Sequence, residues 1–517
     1  MRQNYLKNAA ILTVSGLALR LAGMLLRVCL ANALGGEGIG LYELILAFYS
    51  VFITLATSGV SVAAARLVTE ELSRTDGAAG VRGMMRCVLA VSLTLGLAAA
   101  ALQAALARPA AVWWLGDARA APAILAAAPS LPFMAAAAAL RGFFLARRRV
   151  TPNALSQLAE EACRIALVLW LLQRTQGAAL SVRCAAVLCG SSLSEMVSAL
   201  LMLGFYGGEV HRLYGRIPAA GPPRAAARLW EILWPVEGAR CLSSGLRTAE
   251  NMLVPACLAV YLAQAGGRAR AVEQYGILKG MALPLLFFPF GLLNTLATLL
   301  MPEITEAHVR GRQTQLLRLL DRMLTLTMYA SVLAGALLGL FAVPLTQLLY
   351  HNAEAGFYLA VLAPVMPLMY LESMVDGAMK GLNEQKAGFS YTACDAVLRI
   401  AGVALLLPRF GMKGFLFVMI CSNFYTSLMN FRRLLQVTRL PLHAGRWLLG
   451  PAAAVLPAAA AGMGAAAVLQ PGGSIVSLLG GAAAMTAVYA AAGWLLGLGE
   501  AVRGLRRRGG KEIEKTD

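Results

Sequence analysis

Charged residues are scarce in this sequence of 517 residues. Only 14% are Asp, Glu, Lys or Arg and 59% are hydrophobic, whereas soluble domains carry about 25% charged residues. The mean hydropathy is +0.68, and no polar stretch between the apolar runs is long enough to form a soluble domain. These shortages exclude an ordinary soluble protein and indicate a membrane protein.

Residues and motifs for metal or covalent chemistry are also few. The nine cysteines are odd in number and form no CxxC, so neither a disulfide framework nor a zinc site is indicated. The four histidines lie far apart in sequence, and GxSxG, HExxH and P-loop motifs are absent. We therefore expect no cofactor, no metal and no enzyme activity, and a wall-synthesis enzyme is kept only as a weak alternative.

Apolar runs of about twenty residues, each long enough to cross about 30 Å of hydrocarbon, recur along the chain. They predict an all-α polytopic membrane protein with about 14 transmembrane helices. The first run could also end a secretory signal at ANA (31–33), but it is long and contains two arginines, so we interpret it as a retained helix. The predicted helices are 9–33, 41–65, 87–107, 121–146, 154–173, 180–206, 230–262, 276–301, 323–343, 357–380, 388–408, 412–431, 447–469 and 474–499.

The basic charge is unevenly distributed along the chain. Lys and Arg number 45 against 26 Asp and Glu, for a net charge of +19. If both termini are cytoplasmic, 29 of the 45 basic residues fall in cytoplasmic segments and seven in the opposite loops. The charge therefore predicts orientation, with both termini cytoplasmic, and a nucleic-acid partner is not expected.

An internal repeat at an offset of 235 residues predicts the architecture. The stretches LPFM and EEACRIALVLWLL (131–134, 160–172) match MPLM and DAVLRIAGVALLL (366–369, 395–407). An acid precedes an arginine by four residues in both copies, so Glu160–Arg164 and Asp395–Arg399 are predicted structural ion pairs. Matched helices are six apart and so point the same way, which is typical of transporters built from parallel repeats. The predicted domains are an N-terminal six-helix lobe (1–208), a basic cytoplasmic linker (209–229), a C-terminal six-helix lobe (230–433), two appended helices (434–499) and a basic cytoplasmic tail (500–517).

Several basic residues lie within predicted spans, where each costs about 2.5–3.5 kcal/mol at a helix centre. Two pairs, each seven residues apart and so on one helix face, lie on repeat-related helices. We expect the two stripes to face each other across a cleft and to bind an anionic cargo, phosphate above all, since the arginine fork matches its oxygens. The alternative is bonding to backbone carbonyls or to acids such as Glu43 and Glu250. The paired arginines are Arg20, Arg27, Arg240 and Arg247.

Two further residues complete the predicted cargo-binding set on these helices. Glu250 lies three residues after Arg247 on helix 230–262, and Lys279 is a further intramembrane cation on helix 276–301. Pro284 and Pro289 each remove a backbone hydrogen bond in mid-span, so we expect a kink that serves as a hinge or is a static bend.

Several stretches in sequence order resemble one family. They include GGEGIGLYELILAFY, GVSVAAARLVTEE, LRGFFLARRRVTPNALSQLAEEACRI and YGILKGMALPLLFFPFGLLNTLATLLMPEITEA. The chain is similar to stage V sporulation protein B-like polysaccharide biosynthesis exporters. These belong to the multidrug/oligosaccharidyl-lipid/polysaccharide (MOP) flippase superfamily, which also contains multidrug extruders and the lipid II flippase.

The resemblance implies a monomeric alternating-access flippase of the bacterial cell membrane. Its cargo would be a polyprenyl-pyrophosphate-linked saccharide for wall, spore-cortex or polysaccharide synthesis, and its partners would be membrane lipids and enzymes of those processes. Arg27 matches the first-helix arginine of the lipid II flippase, and Arg66 stands where the family motif after helix 2 usually ends in lysine. Alternatives are a cation-coupled multidrug exporter of the same superfamily and a membrane scaffold of wall synthesis.

Overall fold

The computed structural model describes residues 2–57, 59–73, 77–214, 225–263 and 267–499. Within these ranges the regular structure is helical and contains no strand, so the predicted all-α class is confirmed. The chain forms two compact units. The first comprises Met1–Ala256 and Arg268–Gly276, and the second comprises Cys257–Gly267 and Ile277–Asp517.

The first unit is built around α5, which packs against α2, α3 and α7. Its apolar core joins Val60 and Leu67 of α2 to Met84 and Val88 of α3, all at most 2% exposed. Its helices are α1 (Arg2–Thr57), α2 (Val60–Leu72), α3 (Gly77–Pro109), α4 (Ala121–Ala127), α5 (Ser130–Ala146), α6 (Thr151–Arg174), α7 (Leu180–Tyr214), α8 (Ala225–Tyr261, whose last residues belong to the second unit) and α9 (Gly267–Gly276).

The second unit has one core among α11, α12, α15 and α16 and another where α12 meets α17 and α18. Its helices are α10 (Leu283–Phe287), α11 (Phe290–Val309), α12 (Gln313–Leu340), α13 (Ala342–Tyr350), α14 (Ala353–Leu362), α15 (Met366–Gly381), α16 (Gln385–Thr438), α17 (Gly450–Leu469) and α18 (Ser474–Gly493). Short 3₁₀ turns span Ala118–Ala120, Ala363–Val365 and Gln470–Gly472, and π-helical turns span Ala110–Trp114, Ile277–Ala282, Gly445–Leu449 and Trp494–Leu498.

Single glycines divide the two longest helices. In α1, Gly35 has φ 72° and ψ 179°, and in α16, Gly411 has φ 59° and ψ −143°. These conformations are costly for residues with a Cβ, so glycine permits a sharp break there. The breaks fall between the predicted helices 9–33 and 41–65, and between 388–408 and 412–431. In α16 the two halves pack on each other, with Gly402 against Val418.

Among the residues that the structure describes, nine segments are long and apolar enough to cross a membrane, so the predicted count of 14 is not confirmed. Two of the nine, Val14–Leu72 and Gln385–Thr438, each contain two predicted helices. The predicted helices 154–173, 230–262 and 276–301 do not appear among the nine, because charged residues interrupt the first two and the third is broken.

The break in the predicted helix 276–301 lies at its prolines. A π-helical turn (Ile277–Ala282) precedes the short α10, where Pro284 lies in the first turn. Pro289 then precedes α11, and the Phe288 and Gly291 amides donate to carbonyls three residues back rather than four. A π-helical turn, the short α10 and then α11 therefore replace one continuous helix here, as expected beside prolines, which lack an amide hydrogen.

The repeat is visible in the helix breaks. In the first copy α4 ends at Ala127 and α5 begins at Ser130, shortly before Pro132. In the second copy α14 ends at Leu362 and α15 begins at Met366, just before Pro367. The boundary between the compact units lies at 256/257, whereas the predicted lobe boundary is the linker 209–229, of which residues 215–224 lie outside the described residues. The six-helix lobes remain a prediction.

Candidate functional site

Arg20 and Arg27 lie in the first half of α1. Arg20 is exposed and forms no ion pair among the described residues. Arg27 Nη1 donates to Glu43 Oε1 at 3.0 Å, with 41% of the arginine side chain and 15% of the Glu43 side chain exposed. Arg27 is thus partly neutralised by Glu43, which the sequence offered as an alternative partner, although its side chain is only partly buried.

Arg240 and Arg247 lie on α8, and both are exposed. Over the part of the chain that the structure describes, neither forms an ion pair, and Arg247 does not pair with Glu250 despite their spacing. Glu250 is only 7% exposed, and Glu250 and Glu43 both lie within electrostatic range of Tyr275. The second arginine pair is therefore more accessible than the first.

The helix α8 packs directly on the second half of α1. Thr248 Oγ1 donates to the Ala47 carbonyl at 2.9 Å, and the Thr54 and Ser244 hydroxyls lie 3.2 Å apart. Arg247 lies on an adjacent side of α8, because it is one residue before Thr248 on a helix of 3.6 residues per turn. Both arginine pairs consequently belong to contacting helices of the same compact unit. That the two arginine stripes face each other across a cleft stays a prediction.

Two other predicted cargo residues differ in their surroundings. Lys279 is half-buried in the π-helical turn at the start of the second unit and is not without an interaction partner. Arg66 is exposed and its Nε donates to Glu70 Oε1 at 3.0 Å. Glu70 also accepts from Arg228 Nη2 at 2.5 Å, and Arg228 Nη1 donates to the buried Glu71 at 2.9 Å. Arg66 thus belongs to a charge cluster at the end of α2.

The Arg228 contacts fasten the first turn of α8 to the end of α2. Glu71 is 3% exposed, so its carboxylate depends on a cationic partner. The hydrogen bonds to Glu71 and then Glu70 raise the pKa of Arg228. No sequence pattern predicts this contact, because its two partners lie 157 residues apart and give no local signal.

A second charge cluster surrounds Arg164 in α6. The predicted partner Glu160 contacts Arg164 Nη2, Glu161 accepts from Nη1 at 2.8 Å, and Glu195 of α7 accepts from Nη2 at 3.2 Å. Glu161 Oε1 also lies 3.6 Å from the Cβ position of Gly23 in α1. Three carboxylates therefore share one guanidinium. Glu161 and Glu195 were missed as partners of Arg164, although Glu161 lies three residues before it.

The repeat-related positions in the second unit form a looser acidic group. Asp395 is 8% exposed, Arg399 is half-buried, and both lie within electrostatic range of Glu372. Asp376 accepts from Lys380 at 2.6 Å. The Asp395–Arg399 ion pair remains a prediction. In the described part of the chain no group of three His, Cys, Asp or Glu is placed to hold a metal.

A groove of about 680 Å³ separates α8 from α1 and the end of α3. No sequence pattern indicates this groove. Its lining is apolar apart from Thr248, whose hydroxyl already donates to α1. The ring of Phe48 contacts both Phe52 and Trp114, at centroid distances of 5.0 and 5.9 Å. Such a volume falls within the usual range for small-molecule sites.

The turn that precedes α4 is held by arginines. Arg119 donates to Asp117 Oδ2 at 2.7 Å and to Glu37 at 2.6 Å, and Arg268 donates to the Leu115 carbonyl. Burial opposes ionisation of Asp117, but hydrogen bonds from the Arg119 side chain and backbone amide outweigh it and hold the pKa of Asp117 below its usual value. In the described fold, Arg119 and Arg268 therefore stabilise this turn.

The sequence and the fold are both similar to those of known proteins. The family described as Polysaccharide biosynthesis protein matches residues 5–216. Stage V sporulation protein B of Bacillus subtilis (strain 168) is 25% identical over 465 residues, which cover 88% of each chain. The lipid II flippase MurJ, in an inward closed conformation, superposes with a TM-score of 0.68 at 12% identity, covering 94% of this chain and 99% of the flippase. An inward-facing multidrug resistance MATE family transporter of the MOP superfamily superposes with a TM-score of 0.65 at 13% identity, covering 83% of this chain and 98% of the transporter.

The fold is that of MOP-superfamily transporters, and the chain is a multi-pass membrane protein. It is homologous to stage V sporulation protein B, so the family resemblance drawn from the sequence is confirmed. Its structural neighbours are transporters and a flippase rather than enzymes.

Proposed function

We propose that this protein is a flippase that moves a polyprenyl-pyrophosphate-linked saccharide across the bacterial cytoplasmic membrane by alternating access. The family match to polysaccharide biosynthesis proteins and the likeness to a lipid II flippase support this cargo class. The proposed orientation has both termini in the cytoplasm, from the distribution of basic residues. The protein acts as a monomer alongside the enzymes that make and consume the cargo.

The exposed intramembrane arginines carry this proposal. Arg20, Arg240 and Arg247 form no ion pair within the described residues, and the cost of about 2.5–3.5 kcal/mol per intramembrane charge requires a compensating function. A diphosphate would satisfy several guanidinium groups at once by charge-assisted hydrogen bonds. Arg27 completes the set on α1, and Lys279 and Glu250 are proposed to line the path.

The interrupted segment at Pro284 and Pro289 is the proposed hinge. Short elements joined at residues without amide hydrogens can change direction without breaking a continuous hydrogen-bond ladder. Movement there would accompany the change of access.

Transport of a defined cargo tests the proposal. Purified protein in sealed vesicles is given a fluorescent polyprenyl-pyrophosphate disaccharide, and exposure of the label in the opposite leaflet is followed over time. We expect Arg247→Ala to slow translocation at least about tenfold, since one charge-assisted contact contributes about 1.5–3 kcal/mol. Arg108→Ala is the matched control, because Arg108 is an exposed arginine of the same unit without an ion pair in its described surroundings. Equal rates for the wild type and the Arg247 variant would contradict the proposal.

A cation-coupled multidrug exporter is the second candidate, favoured by the excess of carboxylates around Arg164. Such a cluster can exchange a proton or metal cation when the surroundings change. The same vesicles, loaded with a cationic dye under a sodium or proton gradient, distinguish the two. Gradient-driven dye export that Glu195→Gln abolishes, without lipid translocation, would favour the exporter.

A further inference from the structure

A cavity lined by arginines lies at the turn between α11 and α12, far in sequence from the arginine stripes. Its volume is about 560 Å³. Polar and cationic side chains dominate its lining, and they come from the end of the turn and the first three turns of α12. These residues are Arg312, Gln313, Thr314, Gln315, Arg318 and Arg322.

The turn itself is tightly defined. Gly311 has φ 65°, which a glycine adopts without strain. Its amide donates to the His308 carbonyl at 3.0 Å, and the Arg312 amide donates to the Ala307 carbonyl at 2.9 Å. This pattern of two backward hydrogen bonds around a left-handed glycine is a standard way to end a helix. These hydrogen bonds fix the position of the Arg312 backbone relative to α12.

The start of α12 is anchored as well. Gln313 Nε2 donates to the Thr438 carbonyl at the end of α16, at 2.7 Å. Arg318 and Arg322 are four residues apart, so they project from the same face of α12. The cavity therefore lies between a fixed turn and a fixed helix face.

Within the described residues, no carboxylate pairs with Arg312 or Arg318 of this cavity. Glu306 pairs with Arg310 at 2.8 Å. Asp321 accepts from Trp447 Nε1 at 2.9 Å and from Arg446 at 3.2 Å. Arg312 and Arg318 are exposed and form no ion pair in the described chain.

We propose that this cavity binds a phosphate group on the cytoplasmic side of the membrane. Planar guanidinium groups match phosphate oxygens in pairs. No acid lies in the first turn of α12 to compete with a bound phosphate for these arginines. The phosphate is that of an anionic lipid headgroup or of a soluble phosphate compound. This site is separate from the arginines proposed to bind cargo.

The alternative is that these arginines only set membrane orientation. Orientation depends on positive charge and is equally well served by lysine, whereas paired hydrogen bonding to phosphate requires the arginine fork. Arg312→Lys and Arg318→Lys therefore separate the two explanations, because both retain the charge. Arg432→Ala is the control, since Arg432 is an exposed basic residue of the same unit that does not line the cavity.

Two measurements on the full-length detergent-purified protein test the site. Inorganic phosphate binding is measured by calorimetry, and retention of phosphatidylglycerol against phosphatidylcholine is measured by native mass spectrometry. We expect each lysine variant to bind about tenfold more weakly, as for loss of one charge-assisted contact, and the Arg432 variant to bind like the wild type.

The pattern of binding identifies the source of the phosphate. Selective retention of phosphatidylglycerol assigns a lipid headgroup, and binding of inorganic phosphate without lipid selectivity assigns a soluble compound. Either result supports the site if the lysine variants weaken it. Binding of neither probe, or equal binding by the wild type and the lysine variants, overturns it.

Discussion

The contact between Arg27 and Glu43 offers a way to separate a cargo-binding arginine from a structural one. If Arg27 binds an anionic cargo, Glu43 competes with that cargo for the same guanidinium. Removing the competitor with Glu43→Gln should then strengthen cargo binding, whereas removing the cation with Arg27→Ala should weaken it. If the pair is only structural, both substitutions should act in the same direction.

The magnitude follows from the geometry. Arg27 contacts Glu43 through one nitrogen at 3.0 Å and its side chain is 41% exposed, so the pair contributes at most about 1 kcal/mol. Glu43→Gln should therefore lower the apparent KM for cargo up to about fivefold. Arg27→Ala loses a charge-assisted contact to phosphate of about 1.5–3 kcal/mol, so kcat/KM should fall at least about tenfold.

The assay is initial translocation rate against cargo concentration in the sealed vesicles described above. Thermal unfolding of each variant is recorded alongside, so that a folding defect is not mistaken for a binding defect. A rise in KM for Glu43→Gln, or an unchanged kcat/KM for Arg27→Ala with a lowered unfolding temperature, would refute a cargo role for Arg27.

Three further pairs of substitutions test the packing and charge contacts by thermal unfolding of the purified protein. Gly276→Ala should destabilise by about 1–3 kcal/mol, because its Cβ would lie 2.3–2.6 Å from backbone atoms of α1, whereas Gly207→Ala, with open space around it, should be neutral or slightly stabilising. Arg164→Met should cost about 3 kcal/mol or more, because it leaves three carboxylates unpaired, and Glu195→Gln should cost much less. Arg228→Ala should cost about 1–3 kcal/mol, and Arg228→Lys should recover only part of this, because one ammonium cannot reproduce both fork contacts. Equal effects of the paired substitutions would count against these contacts.

Much of the membrane fold could be predicted from local patterns. The ends of the predicted apolar runs lie on either side of the breaks at Gly35 and Gly411, and the mid-span prolines predicted the break at Pro289, because proline acts on its own backbone. The number of spans was less predictable. A helix such as α6 is long enough to cross, but its charged residues keep it from being recognised by composition.

The charge contacts were predictable only where partners share a helix. The spacing of Glu160 and Arg164 is local, and the structure places them in contact. Glu195 and Arg228 meet their partners across helices, from residues 31 and 157 positions away. Such contacts depend on which helices pack together, and the spacing of residues along a single sequence does not show which helices do so. The same reason explains why the apolar groove beside α8 was not foreseen.

The surfaces of α8 bear on the choice between the two proposed functions. One side of this helix, including Gly245, Thr248 and Met252, lines the apolar groove. Arg240 and Arg247 lie roughly half a turn away and are exposed. A cargo that joins a diphosphate to a hydrocarbon chain needs both kinds of surface, whereas a cationic drug would be repelled by the arginines. The carboxylates that would attract such a drug surround Arg164 and are mostly buried, so the accessible charge of the first unit favours an anionic amphiphile.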